Sequence, residues 1–271
     1  MKRRLQWNAL LMLCMAGAAH AQPEDTVRPW LEASVTHDSN YFRVANDAQA
    51  LALLGSTDPS ATTYRTGAGV DADLKIGRQV LALRSAYYSV NFDRDFLQPT
   101  TEWRAQADWK WVLGNRLSGS LNYRTQQEIQ PQTDASSAEQ NKQELTAAGL
   151  LASYQAHPSF YLDYGLNEAT YEYAPAARNV LNRTERSQTF GWRMPTRAGN
   201  FFGMQYRKTK GDYPNQSPSR PFEQTDINLN GNWAPTGASQ LSWALGQTRR
   251  NDGLTTLRQP TWGLAGNWAA S

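Results

Sequence analysis

The chain has 271 residues, 27 Lys and Arg against 24 Asp and Glu, ten tryptophans and one cysteine. Three of the bases (Lys2, Arg3, Arg4) and the cysteine (Cys14) fall in the first 21 residues, which contain no acid, so the remainder balances at 24 against 24. That neutrality gives no basis for nucleic-acid binding, and a cysteine-free remainder excludes a disulfide scaffold or a thiolate metal site.

The first 21 residues read as a secretory leader: a basic start, a mostly apolar stretch over 8–18 that is too short to span a bilayer as a helix, and Ala19-His20-Ala21 before Gln22. A lipoprotein anchor at Cys14 is the rival reading, but Leu11-Met12-Leu13 lacks the small residues such an anchor needs. The leader is expected to be cleaved, which leaves residues 22–271 as a single domain without a linker-like break.

From residue 27 onward no apolar run approaches a transmembrane helix, yet nine tryptophans remain. The periodicity resolves that tension. Over 101–113, Trp103, Ala105, Ala107, Trp109, Trp111 and Leu113 alternate with Glu102, Arg104, Gln106, Asp108 and Lys110. Successive side chains of a strand point to opposite faces, so this segment is apolar on one side and charged on the other. The pattern recurs at 117–124. Other long extended segments fall at 27–38, 62–76, 80–92, 145–154, 159–171, 187–194, 201–209, 222–233, 240–248 and 257–268, for twelve strands in all. Soluble strands average about five or six residues, whereas a tilted strand crossing a bilayer needs about ten. Segment 80–92 leaves its faces open, because Arg84 interrupts one and serines the other.

The connections alternate in length along the chain. Short turns are expected at 77–78, 114–115, 157–158, 196–200 and 234–238, and long polar loops at 39–61, 93–100, 128–143, 174–183, 211–221 and 249–256. This is the topology of a transmembrane antiparallel up-and-down β-barrel in the outer membrane of a Gram-negative bacterium, with tight turns inside and long loops outside. The spacing of about 40 residues per short turn also suits a propeller, but each unit holds two long strands rather than four short ones.

Trp103, Trp109, Trp111, Trp233, Trp243 and Trp268 are expected to form an aromatic girdle at the two membrane interfaces. Trp30 departs from that pattern, since its parity groups it with Arg28 and Glu32. The expected lumen-lining residues are Arg65, Asp71, Asp73, Arg104, Asp108, Lys110, Arg116, Arg124, Arg193, Arg207, Asn228, Asn230 and Asn232. Such rows of fixed charge either select ions and sugar acids or pair with one another across a filled lumen.

His157 precedes Pro158 in an expected turn, with nothing to activate it. His37 stands beside Asp38 and Ser39, but adjacent residues of a strand point to opposite faces and do not converge as a catalytic triad. No phosphate-cradling loop or metal box is present, so no cofactor and no catalytic residue is implied.

Two segments, 36–43 (THDSNYFR) and 211–215 (GDYPN, after FFGMQYRKTK), resemble the EpsL-type outer-membrane proteins of exosortase-associated exopolysaccharide operons, within the β-barrel porin 2 group. The similarity runs from about residue 27 to the end. It implies a non-enzymatic barrel that helps export an exopolysaccharide chain, with outer-membrane lipid and periplasmic export components as partners. Members usually continue through further hairpins and end in an aromatic residue. This chain ends Ala269-Ala270-Ser271, so the resemblance implies truncation from a larger barrel. A general diffusion porin or structural barrel, and an outer-membrane hydrolase using His37, are the other readings.

Overall fold

A computed structural model describes residues 26–95, 97–130, 139–196, 200–218, 220–236 and 239–268. The expected leader 1–21, residues 269–271 and parts of the expected connections 128–143, 196–200 and 234–238 lie outside the described residues.

Twelve strands follow one another: β1 (Thr26–Asp38), β2 (Ala61–Ile76), β3 (Gln79–Phe92), β4 (Thr100–Leu113), β5 (Leu117–Ile129), β6 (Lys142–His157), β7 (Phe160–Tyr173), β8 (Arg183–Pro195), β9 (Phe201–Asp212), β10 (Phe222–Thr236), β11 (Ser239–Asn251) and β12 (Thr256–Trp268). They form one antiparallel sheet in sequence order, each strand bonded to the next, which is the up-and-down architecture of the transmembrane barrel class. β1 pairs with β2 and β12 with β11. No Cα of β1 lies within 8 Å of one of β12 among the described residues, so the two edges are not joined.

The register sorts the side chains into two sets. One face carries the even positions of β1, β3–β5, β10 and β11 and the odd positions of β2, β6–β9 and β12. It is polar, and it is concave. Neighbouring strands are about 4.8 Å apart, so side chains on β1 and β4 of a flat sheet would stand about 14 Å apart. The Arg104 guanidinium of β4 nevertheless lies 5.9 Å from the Trp30 ring of β1.

The convex face is apolar and uncovered. Leu31, Trp262 and Leu264 are 86%, 80% and 69% exposed, and Leu83, Leu121, Leu162, Phe190, Met194 and Leu245 share the same face. On β4 the apolar stripe from Trp103 to Leu113 covers about 34 Å of strand, or about 24 Å of height at a 45° tilt. That matches the roughly 25 Å apolar band of an outer-membrane barrel.

β3 is settled by its partners. Tyr88, Val90 and Ala86, at 2%, 1% and 7% exposure, share the concave face with Arg84, whereas Leu81, Leu83 and Tyr87 share the convex one. The sequence left both faces open because this concave stretch is filled with apolar side chains as well as charge.

Several strands extend past the expected limits. β5 continues to Ile129, β8 begins at Arg183, β9 reaches Asp212 and β11 reaches Asn251, which shortens the expected loop 249–256 to 252–255. Apart from Ile129 these extensions carry no large apolar residue on either face, so hydrophobic alternation does not reveal them although backbone pairing continues.

The expected loop 39–61 holds a helix instead. α1 (Asp47–Leu54) starts at Asn46, whose side chain accepts from the Gln49 N–H at 2.9 Å, and ends at Gly55 in the left-handed region. A 3-10 helix (Ala176–Leu181) occupies the β7–β8 connection. α1 helps build a small apolar core at the long-loop end: Phe42, Val44, Ala50, Ala61 and Leu97 are buried, with Tyr41, Leu53, Leu54 and Phe92 packed around them. No helix of the described residues is long and apolar enough to cross a membrane.

Candidate functional site

The concave face collects twelve of the thirteen expected lumen residues. Arg116 falls outside the strands, although its carbonyl accepts from the Gln155 N–H of β6 at 2.7 Å. Leu113 pairs with Leu117, so the β4–β5 connection has three residues and Arg116 is the last of them, at the end of the sheet rather than along its face.

The charges form local groups. On β1–β3, Asp73 accepts from Arg28 at 2.7 Å and from Arg84 at 2.6 Å, and Asp71 lies 3.8 Å from the Arg84 Nε. One step toward the long-loop end, Arg65 bridges Glu32 at 3.1 Å and Glu102 at 2.8 Å. Its guanidinium sits 3.3 Å from the centre of the Tyr88 ring. These pairs join β1, β2 and β4 across intervening strands, a reach that the curvature makes available. Gly67 and Gly69 permit the packing: a Cβ at Gly67 would run into the Tyr88 ring, and one at Gly69 into the indole of Trp30.

Toward the other edge, Arg193 donates to Asp163 and to the Ser153 hydroxyl, which itself contacts Asp163. Asp226, nearly fully buried, accepts from Arg207 at 3.1 Å, from Thr248 at 2.7 Å and from Gln224. Asn228, Asn230 and Asn232 line one side of β10, with the Asn228 side chain 3.5 Å from the Thr261 hydroxyl of β12. Asp108 accepts from Gln106 at 2.6 Å. Most of these ion pairs are a quarter or more exposed, and such pairs contribute about 0.2–1 kcal/mol each. Their chief effect is to hold the side chains in place along the face.

Trp103, Trp109, Trp111, Trp233 and Trp243 take convex-face positions. The side chain of Trp268 lies outside the described residues. The sequence reading missed a row of rings at the short-turn end, where Phe160 stacks on Trp192 at 6.1 Å, Trp192 meets Phe202 at 5.2 Å and Phe202 meets Trp243 at 5.8 Å. The even parity of Trp192 with Phe190 and Met194 was the available signal.

The long-loop end is knitted together by hydrogen bonds and ion pairs among residues 38–44, 58–62, 93–94, 179–180 and 215–216. Asp38 accepts from the Asn40 N–H and pairs with Arg43 at 2.8 Å, while Asn40 exchanges two hydrogen bonds with Val44. These contacts hold Arg43 at φ +56°, a region that costs a side-chain-bearing residue. Asn215 and Gln216 donate to the carbonyls of Asn179 and Val180, tying the β9–β10 loop to the 3-10 helix. Arg94 binds Ser60 and Asp58 across two loops and, with Ser60, holds the Asp58 carboxyl well below the usual range. Asp93 is lowered by the N–H of Thr62, which it accepts at 2.8 Å.

His37 is exposed, with its Nδ1 3.1 Å from the Thr62 hydroxyl, while Asp38 is engaged by Arg43. The three adjacent residues are therefore not assembled as a triad. His157 is exposed at the turn and accepts from the Ser159 N–H. Among the described residues, no cluster of three potential metal ligands occurs.

No family model and no curated protein sequence matches the chain. Among solved structures, it is similar to an anion-selective porin from Comamonas acidovorans, with 11% identity, a TM-score of 0.40, and coverage of 92% of this chain and 96% of that one.

Proposed function

We propose that this protein spans the outer membrane of a Gram-negative bacterium and serves as a passive conduit for an exopolysaccharide chain, as the resemblance to the EpsL-type proteins implies. The observation that carries the reading is the division of one set of strands into an uncovered apolar convex face and a charged, amide-rich concave face. Acyl chains suit the first face. Water and sugar hydroxyls suit the second, where arginines and asparagines offer successive hydrogen-bonding positions to a moving chain. Trp103, Trp109, Trp111, Trp233, Trp243 and Trp268 anchor the two interfaces in this reading. The energy for export comes from periplasmic partners.

A general diffusion porin or structural barrel is the second reading, favoured by the ion pairs that satisfy much of the concave charge internally. Gene deletion separates the two. The conduit predicts loss of secreted polysaccharide with small-solute permeability little changed, and unchanged secretion with reduced permeability overturns it.

A further inference from the structure

Trp30 is a large, partly exposed ring on the concave face, where charge and amides surround it and the buried Tyr88, Ala86 and Val90 lie nearby. It lies over Gly69, 6.0 Å from the Tyr88 ring, and is only partly covered. Beside it opens a cavity of about 290 Å³ lined by Trp30, Asp71, Arg84, Arg104, Arg124 and Gln126. Small-molecule sites run from about 300 to 1,000 Å³, so this one suits a single ring rather than a length of chain.

The charges around the cavity leave a positive surplus of one, with Asp71, Asp73 and Asp108 set against Arg28, Arg84, Arg104 and Arg124. Asp71 and Asp73 are matched by Arg84 and Arg28. Arg104 and Arg124 remain, and no carboxylate of the described residues pairs with either. Arg104 instead approaches the Trp30 and Tyr88 rings at 5.9 and 5.8 Å. The cavity therefore offers a flat apolar platform, two guanidinium groups without a carboxylate partner among the described residues and the Gln126 amide. A neutral sugar would use the ring and leave both cations unanswered. A small inorganic anion would use the cations and leave the ring bare. A pyranose bearing a carboxylate uses all of them: its C–H face rests on the indole, its carboxylate meets a guanidinium fork, and its hydroxyls reach the amide.

We infer that this cavity is a binding subsite for an acidic sugar residue, which rests on the conduit reading for the source of that sugar and makes the exported chain a polyanion. The test uses the full chain folded in detergent, titrated with oligogalacturonate, neutral maltooligosaccharide or sulfate while heat and indole fluorescence are recorded. Oligogalacturonate is expected to bind about tenfold or more tightly than either of the others. The double variant Arg104→Gln/Arg124→Gln should bind it no better than the neutral oligomer, and Trp30→Ala should lose most of the binding that Trp30→Phe retains.

Equal affinity for the neutral oligomer or sulfate overturns the subsite, as does absence of binding. An arginine pair variant or a folded Trp30→Ala variant that binds as wild type overturns it too. If Trp30→Ala does not fold, the Trp30→Phe and arginine variants still decide. The outcome is separable from the conduit: binding in a protein whose deletion spares secretion leaves the subsite and removes the conduit, and secretion lost on deletion without binding does the reverse.

Discussion

The long-loop cap and the sheet beneath it are stabilised in opposite ways. The cap, made from residues 39–60 with Leu97 inserted from the next loop, has a buried apolar core like that of a soluble miniature domain. The sheet has backbone pairing along twelve strands, a polar concave face and an apolar face that nothing among the described residues covers. Burial holds the cap in water, whereas the sheet leaves its apolar surface for the solvent on its convex side. One chain thus obeys two sets of folding rules, and the boundary lies where β1–β4 emerge from the apolar band.

If that contrast is right, the largest effect comes from the cap core. Phe42→Ala removes a side chain that is 1% exposed and should cost about 3–5 kcal/mol of cap stability. Limited proteolysis should then cut within 39–60 much faster, with the strand content measured by circular dichroism unchanged. Loss of the whole sheet would show that cap and sheet are one cooperative unit.

The next test compares adjacent residues in the sheet. Leu166 is on the convex face and Asn167 on the concave face of β7. Leu166→Arg should cost about 2–4 kcal/mol in lipid vesicles, as expected for a charge near the middle of the bilayer, and Asn167→Arg well under half of that. Equal costs in denaturant titrations of the two variants would break the assignment of faces.

Asn46→Ala, which removes the N-cap of α1, should cost about 1 kcal/mol, again confined to the cap and read by hydrogen exchange of residues 47–54.

Acid should have the smallest effect. Asp58 and Asp93 have lowered carboxyl pKa values in the folded cap, so their contribution is present above the ordinary aspartate range and is lost as pH falls through the lowered values. Cap cleavage by an acid-tolerant protease should rise below about pH 4, and Asp58→Asn should blunt the rise. An unchanged cleavage rate between pH 7 and pH 3 would show that these bonds do not hold the cap.

Twelve strands were legible because alternation is local: the row from Trp103 to Leu113 declares both faces of β4 without reference to any neighbour. α1 was not read from the sequence: eight residues between Asn46 and Gly55 are too few to show a helical period inside a polar connection. The β4–β5 turn was read one residue short, with Arg116 at the start of β5, because a turn of three residues and one of two read alike beside Gly114 and Asn115. The strand extensions at Thr125–Ile129 and Arg249–Asn251 were invisible to alternation, since polar residues stand on both of their faces, Ile129 apart.

The amino-acid sequence by itself determined which side chains share a face in the strands other than β3, roughly where the tight turns fall and that Trp30 departs from the girdle, because a strand's period is a property of consecutive residues. Only the tertiary structure decided what meets across the sheet. Curvature brings Trp30 of β1 to Arg104 of β4, sets Arg65 between Glu32 and Glu102, and leaves Arg104 and Arg124 without a carboxylate partner among the described residues. Such contacts depend on strands distant in sequence, and no local pattern of residues encodes how far a sheet bends.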